Sequence, residues 1–448
     1  MSFEIQIKFE FQTERRRGKM KWFRISSYVV LGMVVLIGFS SFVNAQEKVT
    51  LRFSDWHLAE APWDKTLAEA MALFEQRNPN IKIALEPVSY KDKETKYTVE
   101  IAAGKGPDIF HLHAFSLPMF FDKGYAKDLT PFIEKEGGAK FLEPWYPLCI
   151  NMMKHKGKVH AMPGDYMSMV LIYNTELFKE AGLDPKKPPK TWEEFLEYNI
   201  KLTKPPERWG VAVLGAKDPG FELRFSPFLW SFGGDYLTPD NKKSALNTPE
   251  AKEAFKYFIE LYTKYKVMPP GVPTMNAQDV RTQVAHRKIA WEIGSGWSAP
   301  IINSINPELK AFDVLAAAPL PSKKKKVTTI WLSSWVMNPN TKHPKEAWEL
   351  LKFITSKEME LNWFVKNRVT SSRKDVSEKA PEILKDKFAS VIASQLPYGK
   401  VVPQIPQWPE IMDAFTTAVQ EAFTEMKTPE KALADAHERI NGILARKK

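Results

Sequence analysis

His111 and His113 form the one His-x-His pair in the 448-residue chain. On a strand, residues two apart share a face, so both imidazoles would point the same way, as a metal site requires. No third ligand stands near them in sequence, and no metal is expected. Other chemistry-bearing spacings are missing. The Gly104-Lys105 pair has Val99 where a phosphate-cradling loop needs its first glycine. There is no Gly-x-Ser-x-Gly turn to present a nucleophilic serine. His437-Glu438 lacks the second histidine of a zinc-protease helix. Cys149 is the single cysteine, which excludes an intrachain disulfide and a multi-cysteine zinc site. No catalytic residue and no cofactor are therefore expected.

The elements that would carry any site begin as alternating units. Val49, Leu51 and Phe53 alternate with polar residues as a strand does. Leu67, Ala70, Met71 and Phe74 follow at helical spacing, and Asn78-Pro79 stops that helix. Ile81, Ile83 and Leu85 alternate again. A helix over 91–103 and an apolar run from Asp108 to His113 complete strand–helix–strand–helix–strand, which predicts a parallel sheet with helices on both faces. In such sheets ligands sit beyond the carboxyl ends of the strands. That rule selects Ser54-Asp55-Trp56-His57 after the first strand and His111 to Phe115 after the third. Later segments read as helices: Thr191-Trp192-Glu193-Glu194 as a capping box, and Thr248-Pro249-Glu250 and Thr428-Pro429-Glu430 as capped starts.

Charge narrows the function classes. The net charge is +11, with seven basic and three acidic side chains in residues 1–45. Elsewhere acids interleave with bases, as in Lys91-Asp92-Lys93-Glu94. A nucleic-acid binder needs clustered cations tracking phosphates, so that partner is not expected. Lys21 and Arg24, the apolar run Val29 to Phe39, and Val43-Asn44-Ala45 read as a secretory signal over 20–45, cleaved after Ala45. That run is too short for a spanning helix of about 20 apolar residues, and no cysteine follows it to carry a lipid. Residues 1–19 read as an extension ahead of the true start at Met20. The expected location is exported, periplasmic or otherwise extracytoplasmic, without lipidation.

Four ordered stretches then carry a resemblance. They are Phe74-Glu75 through Asn78-Pro79-Asn80-Ile81; Ala102-Ala103-Gly104-Lys105-Gly106-Pro107-Asp108-Ile109 with Gly124 to Leu129; Gly157 to Pro163 with Leu171-Ile172-Tyr173-Asn174 and Pro189 to Glu194; and Gly294-Ser295-Gly296-Trp297 with Lys345-Glu346-Ala347-Trp348. In order and spacing the chain resembles the family 1 extracellular solute-binding proteins of ABC importers, the maltose-binding group. The resemblance implies a periplasmic-binding-protein-like α/β fold: two α/β lobes, a hinge crossed three times, and a ligand cleft between them. It implies lobes of 46–164 with 314–343 and of 165–313 with 344–448. Crossings are expected near 165–168, 313–316 and 343–345. It implies a monomer that captures a carbohydrate, an oligosaccharide in particular, by lobe closure and delivers it to an ABC permease. Alternatives are a same-fold binder of a phosphate ester or polyamine, or a secreted carbohydrate-active enzyme.

The resemblance points to the same two loops and adds Tyr90, Asp165-Tyr166, Gly233 to Tyr236, Gly296-Trp297 and Trp331 to Trp335. A sugar offers C–H faces that lie flat on aromatic rings and hydroxyl edges that need polar partners. The candidate plates are Trp56, Trp230, Tyr236, Trp297, Trp331, Trp335 and Trp408. Asp55 and Asp165 are the hydroxyl acceptors. Tyr90, His111, His113, Tyr166, Gly296 and Ser333 complete the set. Trp192 and Trp348, at helix starts, are expected to be structural.

Overall fold

The computed structural model describes residues 48–446; the signal-like segment and residues 1–19 lie outside the described residues. Val49–Asp55 (β1), Trp63–Arg77 (α1), Ile81–Pro87 (β2), Lys93–Ala102 (α2) and Ile109–His113 (β3) form the expected opening. β1 runs parallel to β2 along its whole length and parallel to β3 at Phe53 and Ser54. Leu67, Ala70, Met71 and Phe74 are the buried stripe of α1, as their spacing predicts.

Ala161–Ser168 (β4) follows, and after Met169 alone the chain enters Val170–Asn174 (β5), part of a different sheet. There β5 meets Trp209–Val211 (β6), Ile289–Gly294 (β7) and Leu315–Ala318 (β8) in the order β8-β5-β7-β6. Thr328–Met337 (β9) then returns to the first sheet, antiparallel to both β3 and β4. With Gly399–Lys400 (β10) that sheet has the order β10-β9-β3-β1-β2, and β4 also pairs with β9. The first sheet is thus mixed rather than parallel throughout. β9 has ten residues, all buried. Its register sets Trp335 opposite His111 and Ser333 opposite His113.

The longer helices of the later chain are Trp192–Leu202 (α3), Phe221–Ser231 (α4), Pro249–Thr263 (α5), Ala277–Ala285 (α6), Ser298–Ile305 (α7), Pro344–Ile354 (α8), Lys357–Asn367 (α9), Lys387–Gln395 (α10), Trp408–Phe423 (α11) and Pro429–Ala445 (α12). Thr248 and Thr428 cap α5 and α12 by accepting from Ala251 N and Lys431 N. Thr191 accepts from Glu194 N at the start of α3, but the Glu194 carboxylate reaches Lys190 N rather than closing the box on Thr191. Trp192 and Trp348 are structural: their indole N–H groups donate to Ser231 Oγ and Glu136 Oε1.

The chain passes between sheets at Met169 and again between β8 and β9, in 319–327 rather than 313–316. The expected third passage near 343–345 is not found. From Pro344, α8 packs on β1, β9 and α1, and α9 packs on α1, so this stretch stays with the first sheet. α10 packs on β4 of the first sheet and on β5 and β8 of the second, and α11 packs on α5 and α12, so the chain returns between α9 and Trp408. The amphipathic face of α8 fits either sheet, which is why sequence alone misassigned it. Among the described residues no helix is long and apolar enough to cross a membrane.

Candidate functional site

The loops after β1 and β2 and the ends of β4 and β9 face α6, α7 and the start of α4 across a cavity of about 450 Å³. Trp56, Tyr90, Asp165, Trp297 and Trp331 line it, five of the residues expected from sequence. Trp331 Nε1 donates to Asp165 Oδ2 at 2.6 Å, and Ser333 Oγ donates to the other oxygen. Asp165 N in turn donates to Ser333 Oγ. The carboxylate is held rigid with one edge toward the cavity. Trp297 leans on Trp331 with ring centroids 4.6 Å apart, and its own N–H is buried without a partner. Its placement follows from Gly296. A Cβ there would run into the carbonyl oxygen of Arg368, so only glycine lets this turn approach the end of α9. Gly296 therefore positions Trp297 and does not itself line the cavity.

Behind this wall lies a column of stacked rings. Trp63 stacks on His57 (4.3 Å), Trp56 on His111 (4.1 Å) and His111 on Trp335 (3.9 Å). Asp55 ties the column together. It is fully buried, accepts from His57 N at 2.8 Å, and stands 3.1 Å from Nδ1 of both His57 and His111. Burial alone would raise its carboxyl, but the two imidazoles outweigh that and hold it well below the ordinary carboxylate range. Burial would likewise lower His57, yet Asp55 raises it; in His111 burial prevails and the ring is pushed down.

Asp55, His57 and His111 thus supply the third ligand that the sequence withheld, with ligand atoms within 4.8 Å of one another. The pairing is His111 with His57, not with His113. The donors are matched to one another: Asp55 stands against His57 with one oxygen and hydrogen-bonds His111 with the other. His113 shares the face of His111 but reaches Tyr90 Oη at 2.7 Å, and burial, with Lys93 next, keeps it neutral.

Asp55, His111, His113, Ser333 and Trp335 therefore form a supporting layer, not the surface. Others of the expected set lie elsewhere. Tyr166 is on the opposite face of β4 from Asp165, as strand alternation demands, and packs on Tyr146 at 5.2 Å. Trp230 and Tyr236 are fully buried in the core under α4, bonded to Asp235 and Ser226. Gly233 and Gly234 end a helix there and open no cleft. Trp408 lines a second cavity, about 470 Å³, that shares Lys91, Lys217 and Asp218 with the first. Glu222 lines it too; burial raises its carboxyl to about 8, so it is protonated at neutral pH.

Sequence reasoning missed the polar half of the first cavity, Glu60, Asp218, Arg224 and Arg281, along with Trp63; His57 it reached only as part of the loop after β1. Glu60 Oε1 accepts from Arg281 Nη1 at 2.8 Å, an ion pair that spans the cavity from the β1 side to α6. A signal for Arg224 was present. α4 is apolar on every side, hence buried, and a charge inside such a helix needs a partner or a ligand.

Residues 58–360 match the family model for the bacterial extracellular solute-binding protein. A putative binding protein of Brucella abortus is 25% identical over 93% of this chain and 97% of its own length. A maltotriose-binding protein of Pyrococcus abyssi is 25% identical over 78% of this chain and 68% of its own. Among solved structures, a Thermotoga lettingae ABC-transporter solute-binding protein bound with α-D-tagatose is 27% identical. It superposes with a TM-score of 0.81 over 89% of this chain and 100% of that one.

Proposed function

The chain belongs to the bacterial extracellular solute-binding proteins, and from that premise we propose that it captures a carbohydrate between its two sheets and delivers it to an ABC import permease. The observation that carries this reading is the cavity wall. Trp297 and Trp331 offer ring surface, and Asp165 stands fixed beside them as a hydroxyl acceptor. That is the chemistry a pyranose or furanose requires. A cavity of about 450 Å³ lies in the lower half of the range of about 300–1,000 Å³ for small-molecule sites. It favours a short saccharide. The Pyrococcus and Thermotoga relatives, named for maltotriose and bound with tagatose, support the same class.

Function follows from closure. A ligand that touches both halves binds the closed form better and shifts the population toward it. The Glu60–Arg281 pair, which joins the halves, belongs to that closed form. The family is one of extracellular solute-binding proteins; in this reading the protein acts outside the cytoplasm as a monomer, without a lipid anchor, and returns its ligand unchanged. We assign β1–β4, β9, β10, α8 and α9 to one lobe and β5–β8, α11 and α12 to the other.

Trp297→Ala tests the site. Its unliganded form loses stability, since Trp297 is 5% exposed and emptying a buried indole costs about 3–5 kcal/mol. The diagnostic is the ligand-induced rise in melting temperature, which is expected to vanish in Trp297→Ala and to survive in Trp297→Phe. An undiminished rise in a folded Trp297→Ala would remove Trp297 from the site.

A further inference from the structure

We propose that the ligand is an acidic saccharide, and that Arg224 and Arg281 receive its anionic group, a carboxylate or phosphate. This rests on the carbohydrate reading of the cavity above and narrows it.

The charges on the cavity wall do not balance. Lys91, Lys217, Arg224 and Arg281 face Glu60, Asp165 and Asp218. Each carboxylate already has an occupation. Glu60 pairs with Arg281. Asp165 takes the Trp331 indole N–H and the Ser333 hydroxyl. Asp218 accepts from Gly220 N at 2.7 Å and from Ala277 N at 3.4 Å. Lys217 is drawn to Asp413 at the outer edge. Arg224 is left with one hydrogen bond, from Nη1 to the carbonyl of Gly220 at 3.0 Å, and with no carboxylate at ion-pair distance among the described residues. Glu292 and Asp218 favour its charge only from farther away.

Both arginines are more than nine-tenths buried. Burial first, and then the neighbouring Arg281 guanidinium, work against the Arg224 charge. Arg281 Nε is buried with no partner at all. A buried charge with unmade hydrogen bonds is costly, and a second cation beside it adds to the cost. A neutral hydroxyl supplies a hydrogen bond and leaves the charge uncompensated. A planar carboxylate or a phosphate accepts two parallel N–H bonds from a guanidinium fork and cancels the charge. The same ligand's ring then rests against Trp297, at the start of α7 beside α6, and against Trp331 on the facing wall, with a hydroxyl on Asp165.

The test is isothermal titration of the protein with matched pairs. One arm uses digalacturonate, glucuronate and glucose 6-phosphate. The second uses galactobiose and glucose, together with the methyl ester of digalacturonate. The third uses inorganic phosphate and glycerol 3-phosphate. An acidic saccharide is expected to bind about 100-fold more tightly than its neutral or esterified counterpart, the scale of a buried charge pair. Arg224→Gln is expected to erase that acid-over-neutral ratio, and Arg224→Lys to restore part of it. Melting curves of both variants establish that they fold. The inference is overturned if neutral saccharides bind as tightly as acidic ones, or if Arg224→Gln keeps the preference; the carbohydrate reading survives either outcome. If the phosphates of the third arm bind while every saccharide is silent, both readings fall.

Discussion

Replacing Asp55 with alanine is expected to cost about 3–5 kcal/mol of folding free energy, the range for removing one partner of a buried ion pair. The carboxylate is fully buried and bonded to both His57 and His111. Without it, the His111 imidazole and the His57 backbone N–H lose their acceptor, and the His57 ring loses the carboxylate 3.1 Å from its Nδ1. Asp55→Asn keeps the shape and an acceptor oxygen, so its loss should be smaller. The pH profile gives a second readout. The Asp55 carboxyl is depressed in the folded state, so its contribution is present above about pH 3.9 and lost as pH falls below it. His57 is raised, so its contribution is present below about pH 6.5 and lost as pH rises through its folded value. In Asp55→Ala both buried imidazoles favour the neutral form. Stability of the variant should then fall more steeply than the wild type's as pH drops through about 6.5. Denaturant melts across pH would measure it; equal slopes in the two proteins would mean the triad does not share charge.

Gly296→Ala is the second large effect. The new methyl would meet the Arg368 carbonyl oxygen, a backbone atom at the end of α9 that cannot swing aside, and would also touch Ile392. Overpacking of this kind costs about 3 kcal/mol. Because Trp297 follows directly, the variant should also lose ligand-induced stabilisation. Gly442→Ala is the contrast. It lies in α12 with no atom near an added Cβ, and replacing an exposed helical glycine should stabilise by up to about 1 kcal/mol. A melt in which both alanine variants behave alike would contradict the steric argument.

The opening strands and helices were legible because their core faces repeat at two and at 3.6 residues, and because Thr191, Thr248 and Thr428 sit where caps must. The antiparallel place of β9 between β3 and β4 is a long-range pairing that periodicity does not encode. The late helix α8 has an amphipathic face and nothing in it that names its partner sheet. The site divided in the same way. Rules about strand ends found the loops at Trp56 and His113, and motif order found Asp165, Trp297 and Trp331. The resemblance overcounted aromatics, since Trp230, Tyr236 and Trp335 are large core side chains whose indole or phenol groups bond to neighbouring protein groups or stack. Both also missed Arg224 and Arg281, whose meaning appears only when two separate helices are brought to one cavity.

The most direct test of the central claim is thermal unfolding of the protein in graded concentrations of short neutral and acidic saccharides, followed by recovery of the sugar. Binding to the folded form alone stabilises by about 2.7 kcal/mol at a hundredfold excess over the dissociation constant. The expected result is a melting temperature that climbs with the concentration of at least one saccharide, which is recovered chemically intact. A melting temperature indifferent to every saccharide, or a sugar returned cleaved, would contradict it.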